Sequence, residues 1–295
     1  MNHPSILIQI DADPHPSVFD SVVAIDSDVD HLLRYSQVEP TNVRQLVHGA
    51  MFTRGPAQLH NTAIFIGGSD VAVGEAIAAE VQQTFFGPIR VSVMLDGNGS
   101  NTTAAAAVLC AARHISLSDV DALVMGGTGP VGQRVARLLL SQGARVCLAS
   151  RDLERSTAAC EQISSKVGDG GKRLEAVGTS DPKSLQHHVS EVNAIFGCGA
   201  AGVQLISSEQ LAAAKQLKIA IDLNAVPPEG LEGIAVTDKA VSRGGRTDYG
   251  AIGVGGLKMK IHRESIRTLF TRNDLLLDAE QIFEIGRNLE LATLV

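Results

Sequence analysis

Residues 122–152 read ALVMGGTGPVGQRVARLLLSQGARVCLASRD, and the fold is decided there. A short apolar run, Ala122–Met125, is followed at once by Gly126-Gly127-Thr128-Gly129-Pro130-Val131-Gly132. Val131, Val135, Leu138 and Leu139 then share one face at helical spacing, Gly143 stops the helix, and Arg145–Ala149 forms a second apolar run. Strand, glycine turn, helix and strand within about 30 residues is the context that makes Gly127-x-Gly129-x-x-Gly132 informative. The glycines fall where a pyrophosphate approaches a helix N-terminus, which a tight turn without a ligand leaves unexplained. The stretch therefore predicts a dinucleotide site built from Gly127, Thr128, Gly129, Pro130, Val131 and Gly132.

The end of the second apolar run selects the dinucleotide. NAD-selective folds place Asp or Glu there to bond the ribose 2′-hydroxyl, whereas this chain reads Ser150-Arg151-Asp152. Ser150 can donate a hydrogen bond, the Arg151 guanidinium can pair with a 2′-phosphate, and Arg155 adds charge one helical turn on. NADP is favoured, and Asp152 leaves NAD use open. Solvated charges at a helix start are the plainer alternative for both arginines. Downstream, Asn193–Phe196 reads as a strand running into Gly197-Cys198-Gly199-Ala200, small enough for a nicotinamide ring to lie against the backbone. Ile219–Leu223 is a later strand ending in Asn224. Both turns also read as ordinary tight loops. Nothing basic adjoins Cys198 to lower its pKa, so packing is preferred over a nucleophilic role.

Ser242–Lys260 carries six glycines between Gly244 and Gly256 and reads as a glycine-rich loop at an interdomain return. Lys258 and Lys260 beside it either meet a substrate or are solvated at the start of a helix over Lys258–Thr271. A last helix, Asp278–Ala292, opens on a capping box of Asp278 and Gln281. Upstream of the quoted stretch, strands are expected at Ser5–Ile10, Ala63–Ile66 and Ile89–Leu95. Helices are expected at Pro40–Phe52, from a Ser69 N-cap to Phe85, and at Thr102–Ala112. The polar turn Asp96–Asn101 follows the third strand, and His114–Asp119 reads as a linker. The chain is thus α/β with two domains. A smaller N-terminal α/β substrate domain spans 1–117, a Rossmann-type dinucleotide-binding domain spans 118–255, and C-terminal helices over 256–295 pack back on the first.

Composition narrows the function. With 295 residues, 44% of them hydrophobic, disorder is excluded. The net charge of −7 argues against nucleic-acid binding. No apolar run approaches the ~18 residues of a membrane span. Ser5–Ile10 lacks the basic flank of a secretory signal, so a cytoplasmic setting is expected. The four cysteines show no metal or disulfide spacing. Asp26-x-Asp28-x-Asp30 starts like a calcium loop but has His31 and Gln37 where Gly and Glu are required. There is no His-Glu-x-x-His, Gly-x-Ser-x-Gly or P-loop, so metal-dependent and serine hydrolysis have no support.

Several segments together resemble one family. They are ILIQIDADPHPSVFDSVVAIDSDVDHL (6–32), FTRGP (52–56), AIFIGGSDVAVGE (63–75), FFGPIRVSVMLDGNGSNTTAAAA (85–107), GGTGPVGQRVARLLL (126–140) and GVGGLKMKIHR (253–263). Over nearly its whole length the chain looks like the bacterial NAD(P)-dependent methylene-tetrahydromethanopterin dehydrogenases of methylotrophs, relatives of the methylene-tetrahydrofolate dehydrogenases. The resemblance implies oxidation of a pterin-bound methylene bridge to methenyl in one-carbon (formaldehyde oxidation) metabolism, with hydride passing to NADP or NAD. Methylene-tetrahydrofolate is a side substrate in part of that family. A crevice between domains and a homo-oligomer, expected as a trimer, are also implied. Lys258, Asn101 and Thr102 become candidate catalytic groups, with Asp96, Asn98, Thr103, Lys260 and Asp20 as candidate substrate-binding groups. Hydride loss from a carbon between two nitrogens moves no proton, so the lack of a His/Asp dyad or a metal motif is consistent with it.

Two readings compete. A shikimate-type dehydrogenase shares the two-domain plan but needs a Lys/Asp pair in an Asn-Thr-Asp context, where this chain has Asn101-Thr102-Thr103. A non-catalytic NADP-binding redox sensor has no need of the Asn101–Thr103 and Lys258 segments.

Overall fold

The computed structural model describes residues 3–292. The chain divides into two compact units: one runs to Thr102 and resumes at Met259, and the other is Thr103–Lys258. Both divisions fall inside helices rather than loops, whereas the sequence suggested junctions at 117/118 and 255/256.

The first unit alternates strand and helix: β1 (Ile6–Ile10), α1 (Val18–Ile25), β2 (His31–Tyr35), α2 (Arg44–Phe52), β3 (Thr62–Ile66), α3 (Val71–Thr84), β4 (Ser92–Leu95) and the first turn of α4 (Ser100–Ala112). The second unit holds β5 (Asp121–Met125), α5 (Pro130–Ser141), β6 (Arg145–Ser150), α6 (Leu153–Val167), β7 (Leu174–Gly178), α7 (Pro182–Glu191), β8 (Ala194–Gly197), α8 (Ser208–Ala213), β9 (Ile219–Asp222), β10 (Val241–Arg243), β11 (Arg246–Tyr249) and the start of α9 (Ala251–Thr268). The chain then supplies β12 (Leu276–Leu277) and α10 (Ala279–Ala292) to the first unit.

The first sheet has the order β12-β4-β3-β1-β2, and every pairing in it is parallel. Its central strands are apolar almost throughout, as a sheet covered on both faces requires. Ile8, Ile10, Ile64, Ile66, Val93 and Leu95 pack with Val47, Met51, Leu59, Ile77 and Val81 in one core. The second sheet has the order β10-β11-β9-β8-β5-β6-β7. From β5 the chain builds outward through β6 and β7, then returns to the other side of β5 for β8 and β9. That reversal is the switch point at which doubly wound sheets bind ligands, outside the carboxyl ends of the strands.

Several local expectations need correction. Asp70, not Ser69, caps α3: its carboxylate accepts from Ala72 N at 2.9 Å and Val73 N at 3.1 Å. Ser69 instead donates its hydroxyl to Asp13 Oδ1 at 2.7 Å. Helix α2 starts at Arg44 rather than Pro40, and β4 at Ser92 rather than Ile89, because Phe86 and Ile89 pair with each other across a turn.

The expected glycine-rich loop over 244–256 is no loop. Gly244 and Gly245 (φ 59° and 91°) are the two-residue turn of the β10–β11 hairpin. Gly250 and Gly253 stand where residues 235–238 press on the start of α9. A Cβ on Gly253 would lie 1.8 Å from the Asp238 carbonyl oxygen, and one on Gly250 2.0 Å from that of Ala235. The close approach lets Gly250 N donate to Asp238 O at 2.9 Å and Ile252 N to Val236 O at 2.8 Å, so this helix start is held by backbone.

Candidate active site

In the second unit the glycines after β5 have separable duties. Gly126 has φ 65°, and a Cβ on it would lie 2.5 Å from Gly199 Cα, so the loops after β5 and β8 touch there. A Cβ on Gly127 would lie 2.5 Å from Leu148 Cδ1, and one on Gly132 2.7 Å from Gly127 Cα. Those two glycines let helix and sheet approach each other. Gly129 differs. Its backbone is extended (φ −76°, ψ 167°), and a Cβ would meet nothing closer than Gly126 O at 3.4 Å. Neither conformation nor packing within the chain demands glycine at 129, where the open space leaves room for a group from outside. Gly129 also precedes α5, whose first position is Pro130 and whose N-terminus has no side-chain cap. First-turn N–H groups lack partners within a helix, which leaves them for an anion. The turn fits a pyrophosphate.

Ser150 ends β6, and its Oγ accepts from Asp152 N at 3.3 Å. Asp152 is the N-cap of α6, accepting from Glu154 N at 2.9 Å and Arg155 N at 3.3 Å. Its carboxylate is thus occupied with the helix start. Arg151 and Arg155 are exposed and form no ion pair among the described residues.

Beyond β8, Cys198 N donates to Met125 O at 2.8 Å. Burial, with the Asp222 carboxylate nearby, pushes the Cys198 thiol far above its ordinary range, so it stays neutral. A Cβ on Gly197 would lie 2.9 Å from Asp222 Oδ1, and one on Gly199 2.8 Å from Leu205 Cδ2. Ala200 is exposed at the loop surface. Asn224 ties two loops together: Oδ1 accepts from Gly202 N at 3.3 Å and Val226 N at 3.0 Å, and Nδ2 donates to Pro228 O at 2.9 Å.

In the first unit, β1, β3 and β4 deliver their carboxyl ends side by side. Asp96 follows β4 and is fully buried. Its Oδ1 accepts from Asn101 N at 2.9 Å and Thr102 N at 3.1 Å, and its Oδ2 from the Thr102 hydroxyl at 2.7 Å. Asn101 Nδ2 donates to Leu95 O and to Asp278 Oδ1. Asp96, Asn101 and Thr102, read from sequence as groups facing a substrate, are turned inward and hold the strand-to-helix turn. Asn98 is exposed at φ 50°, its N–H bonded to Gly68 O at 2.7 Å, and Thr103 is half-buried. Asp20 lies in the first turn of α1, nearly buried; its N–H is bonded to Ser17 Oγ at 3.2 Å. On α9, Lys258 is half-buried and Lys260 exposed.

Sequence reading passed over Asp11, Asp222 and His262. Asp222 braces the loops around β9, accepting from Asn224 N at 3.2 Å and Leu231 N at 3.0 Å, and burial pushes its carboxyl upward. His262 is buried with its ring stacked on Phe65 at 5.5 Å. Asp11 directly follows β1, where strand-end acids of α/β sheets gather; that position was the signal available. Among the described residues, no cluster of three or more His, Cys, Asp or Glu side chains can hold a metal ion, and no helix is long and apolar enough to cross a membrane.

Comparison with known proteins agrees with this division. Residues 18–98 match the family model described as methylene-tetrahydromethanopterin dehydrogenase, N-terminal, and residues 122–225 that of the NAD dependent epimerase/dehydratase family. The chain is 41% identical over 286 residues to the bifunctional protein MdtA of Methylorubrum extorquens, covering 96% of this chain and 98% of that protein. It is 30% identical over 291 residues to the NAD(P)-dependent methylenetetrahydromethanopterin dehydrogenase of the same organism, covering 96% and 97%. Among solved structures, shikimate 5-dehydrogenase from Listeria monocytogenes aligns with a TM-score of 0.54 at 14% identity, over 98% of this chain and 97% of that one. That likeness speaks for the fold alone. On the two near-full-length relatives and the N-terminal match, the chain belongs to the family of methylene-tetrahydromethanopterin dehydrogenases.

Proposed function

We propose that the protein oxidises methylene-tetrahydromethanopterin to methenyl-tetrahydromethanopterin, with NADP preferred to NAD, in one-carbon metabolism. One observation carries this reading: a chain whose N-terminal region matches that family also holds a glycine turn that leaves open space at Gly129. The reaction breaks one C–H bond of a carbon held between two nitrogens. Both electrons leave with the hydride, and the nitrogen lone pairs carry the positive charge left behind. Bound NADP supplies the hydride acceptor. Because no proton moves, the chain needs no general base; it must orient the methylene carbon and exclude water.

In this account Gly127–Gly132 and the first turn of α5 hold the pyrophosphate. Arg151, with Ser150 and Arg155, takes the 2′-phosphate; the engagement of Asp152 in capping α6 supports NADP over NAD. Gly197–Ala200 bed the nicotinamide, and Asn224 acts from behind by fixing the loops around it. Asn98 and Thr103 bond the pterin directly, on a turn made rigid by Asp96, Asn101 and Thr102. Lys258 orients the substrate, and Lys260 and Asp20 are further substrate-binding groups in the same reading. A cytoplasmic homo-oligomer belongs to the same reading, supported by the uncovered Val18, Val22 and Ile25 on α1. Light scattering measures that assembly, and the mass of a single chain would remove it.

The deciding assay follows NAD(P)H absorbance with methylene-tetrahydromethanopterin, methylene-tetrahydrofolate and shikimate in turn. Turnover of the first with NADP is expected. Silence with both pterins overturns the reading, and turnover of shikimate replaces it.

A further inference from the structure

Asp11 is an expensive residue for what it visibly does. It is fully buried at the end of β1. Its Oδ2 accepts from Gln9 Nε2 at 2.8 Å and from Ser17 N at 3.0 Å, which anchors the start of α1. Its Oδ1 is buried and makes no hydrogen bond of good geometry, although the Gly68 N–H lies near the carboxyl. Leaving a carboxyl oxygen buried without a hydrogen bond is among the costlier defects a fold can carry. Anchoring alone does not call for it, because the carbonyl of an asparagine accepts the same two N–H groups. Burial pushes the Asp11 carboxyl upward, the bonds from Ser17 and Gln9 pull it back, the charge of Asp13 pushes it up again, and the Gly68 N–H adds a weak pull.

The unbonded oxygen has a direction. The point where a Cβ would stand on Gly67, the first residue after β3, lies 2.9 Å from Asp11 Oδ1, 3.3 Å from Asp20 Oδ2 and 3.0 Å from Phe65 Cε1. Two carboxylates therefore converge on one glycine at the carboxyl end of the sheet, on the side where an α/β sheet receives its ligand. Any side chain at 67 would meet Asp11 under 3.0 Å, so glycine is what lets them converge.

Loss of hydride changes the substrate from a neutral methylene compound to an amidinium cation. The C–H bond breaks, its electron pair goes to the dinucleotide, and no proton is released. Fixed negative charge behind the reacting group stabilises that change more in the transition state than in the ground state, and most where water is excluded. We propose that Asp11 is a further residue of the substrate site, a positioning residue whose buried charge, with Asp20, offsets the cation formed at the reacting carbon. This rests on the pterin-oxidising reading above.

The test is Asp11→Asn in the full chain, assayed with methylene-tetrahydromethanopterin and NADP. Expected are a fall in kcat of tenfold or more, an unchanged Kd for NADP and a thermal midpoint equal to or above that of the wild type. A purely structural residue would move the midpoint downward and leave kcat per folded molecule alone. A kcat within twofold of wild type overturns the proposal. Should Asp11→Asn not fold, Asp11→Glu and Asp11→Gln make the same comparison at matched length. The glutamate is expected to be at least tenfold faster, and equal rates overturn the proposal. Wild-type turnover is the control: without it the functional reading fails, and with it only the assignment of Asp11 is at stake.

Discussion

Gly129 and Gly132 stand three residues apart in one turn, yet a methyl group added at each meets different surroundings. At 132 it lands 2.7 Å from Gly127 Cα, and backbone cannot swing aside. Gly132→Ala is expected to cost about 1–3 kcal/mol, read as a lowered thermal midpoint, as overpacking at a rigid contact does. At 129 the nearest atom is 3.4 Å away, so Gly129→Ala should hold stability to within about 0.5 kcal/mol while weakening NADP binding tenfold or more. Titration and thermal melts on the two variants separate a folding glycine from a binding one. Arg151 provides a second prediction at this scale. Arg151→Ala should raise the Michaelis constant for NADP tenfold or more and that for NAD less than twofold; equal effects would remove it from the 2′-phosphate. The three glycines were legible because a fixed spacing carries their geometry. Asp11 was not, because its partners Gln9 and Ser17 meet it through the strand end and the folded loop after it, and no spacing rule marks a carboxylate by the bond it lacks.

At the scale of elements, legibility followed burial. Strands β1, β3, β5, β6, β8 and β9 are apolar runs that the sequence marks plainly. Strand β2 was missed because it is an edge strand that leaves Leu33 and Tyr35 largely exposed, so its residues carry no inward pattern. The first turns of α9 were missed because glycines recur there, and helix propensity argues against them. Tertiary packing overrode propensity at Gly253, where residues 235–238 leave no space for a side chain. The Asp152 cap of α6 is worth about 1 kcal/mol, so Asp152→Ala should lower the thermal midpoint without changing the NADP-to-NAD preference.

His114, after α4, and Tyr249, at the end of β11, join two further elements of the second unit by a contact of 2.8 Å between Nε2 and the phenol oxygen. Burial, with the charge of Arg113 nearby, holds the His114 pKa below its ordinary 6.5. Below that ordinary value the unfolded chain takes up a proton that the folded chain does not yet accept. Stability therefore falls as pH drops from 6.5 toward the lower folded pKa, and is fully present above 6.5. Melts between pH 5 and 7.5 should show that loss, with a shallower slope in His114→Gln.

For the whole molecule, two units with separate cores set the behaviour under heat. Because the dinucleotide site is assigned to Thr103–Lys258 alone, NADP should stabilise that unit by about 2.7 kcal/mol at a hundredfold excess over Kd. Calorimetry with and without NADP is expected to shift the transition of that unit, and a scan unchanged by saturating NADP would contradict the assignment. The alternating strand-and-helix order made the α/β class legible in the sequence. The interleaving of the units was harder to see, because the chain passes between them within α4 and α9, where no linker composition marks the change.

The pairing of Leu276–Leu277 with β4 has a consequence for biosynthesis. The flank of the first sheet is closed by a strand the ribosome delivers after the whole dinucleotide-binding unit. At ~5–20 residues per second, the β4 edge waits roughly 10–40 s for its neighbour. During that interval the nascent chain presents a short run of unsatisfied backbone, Ser92–Leu95, whose side chains are buried in the finished protein. The unit begun first is thus finished last, its β4 edge covered only after the second unit has been made.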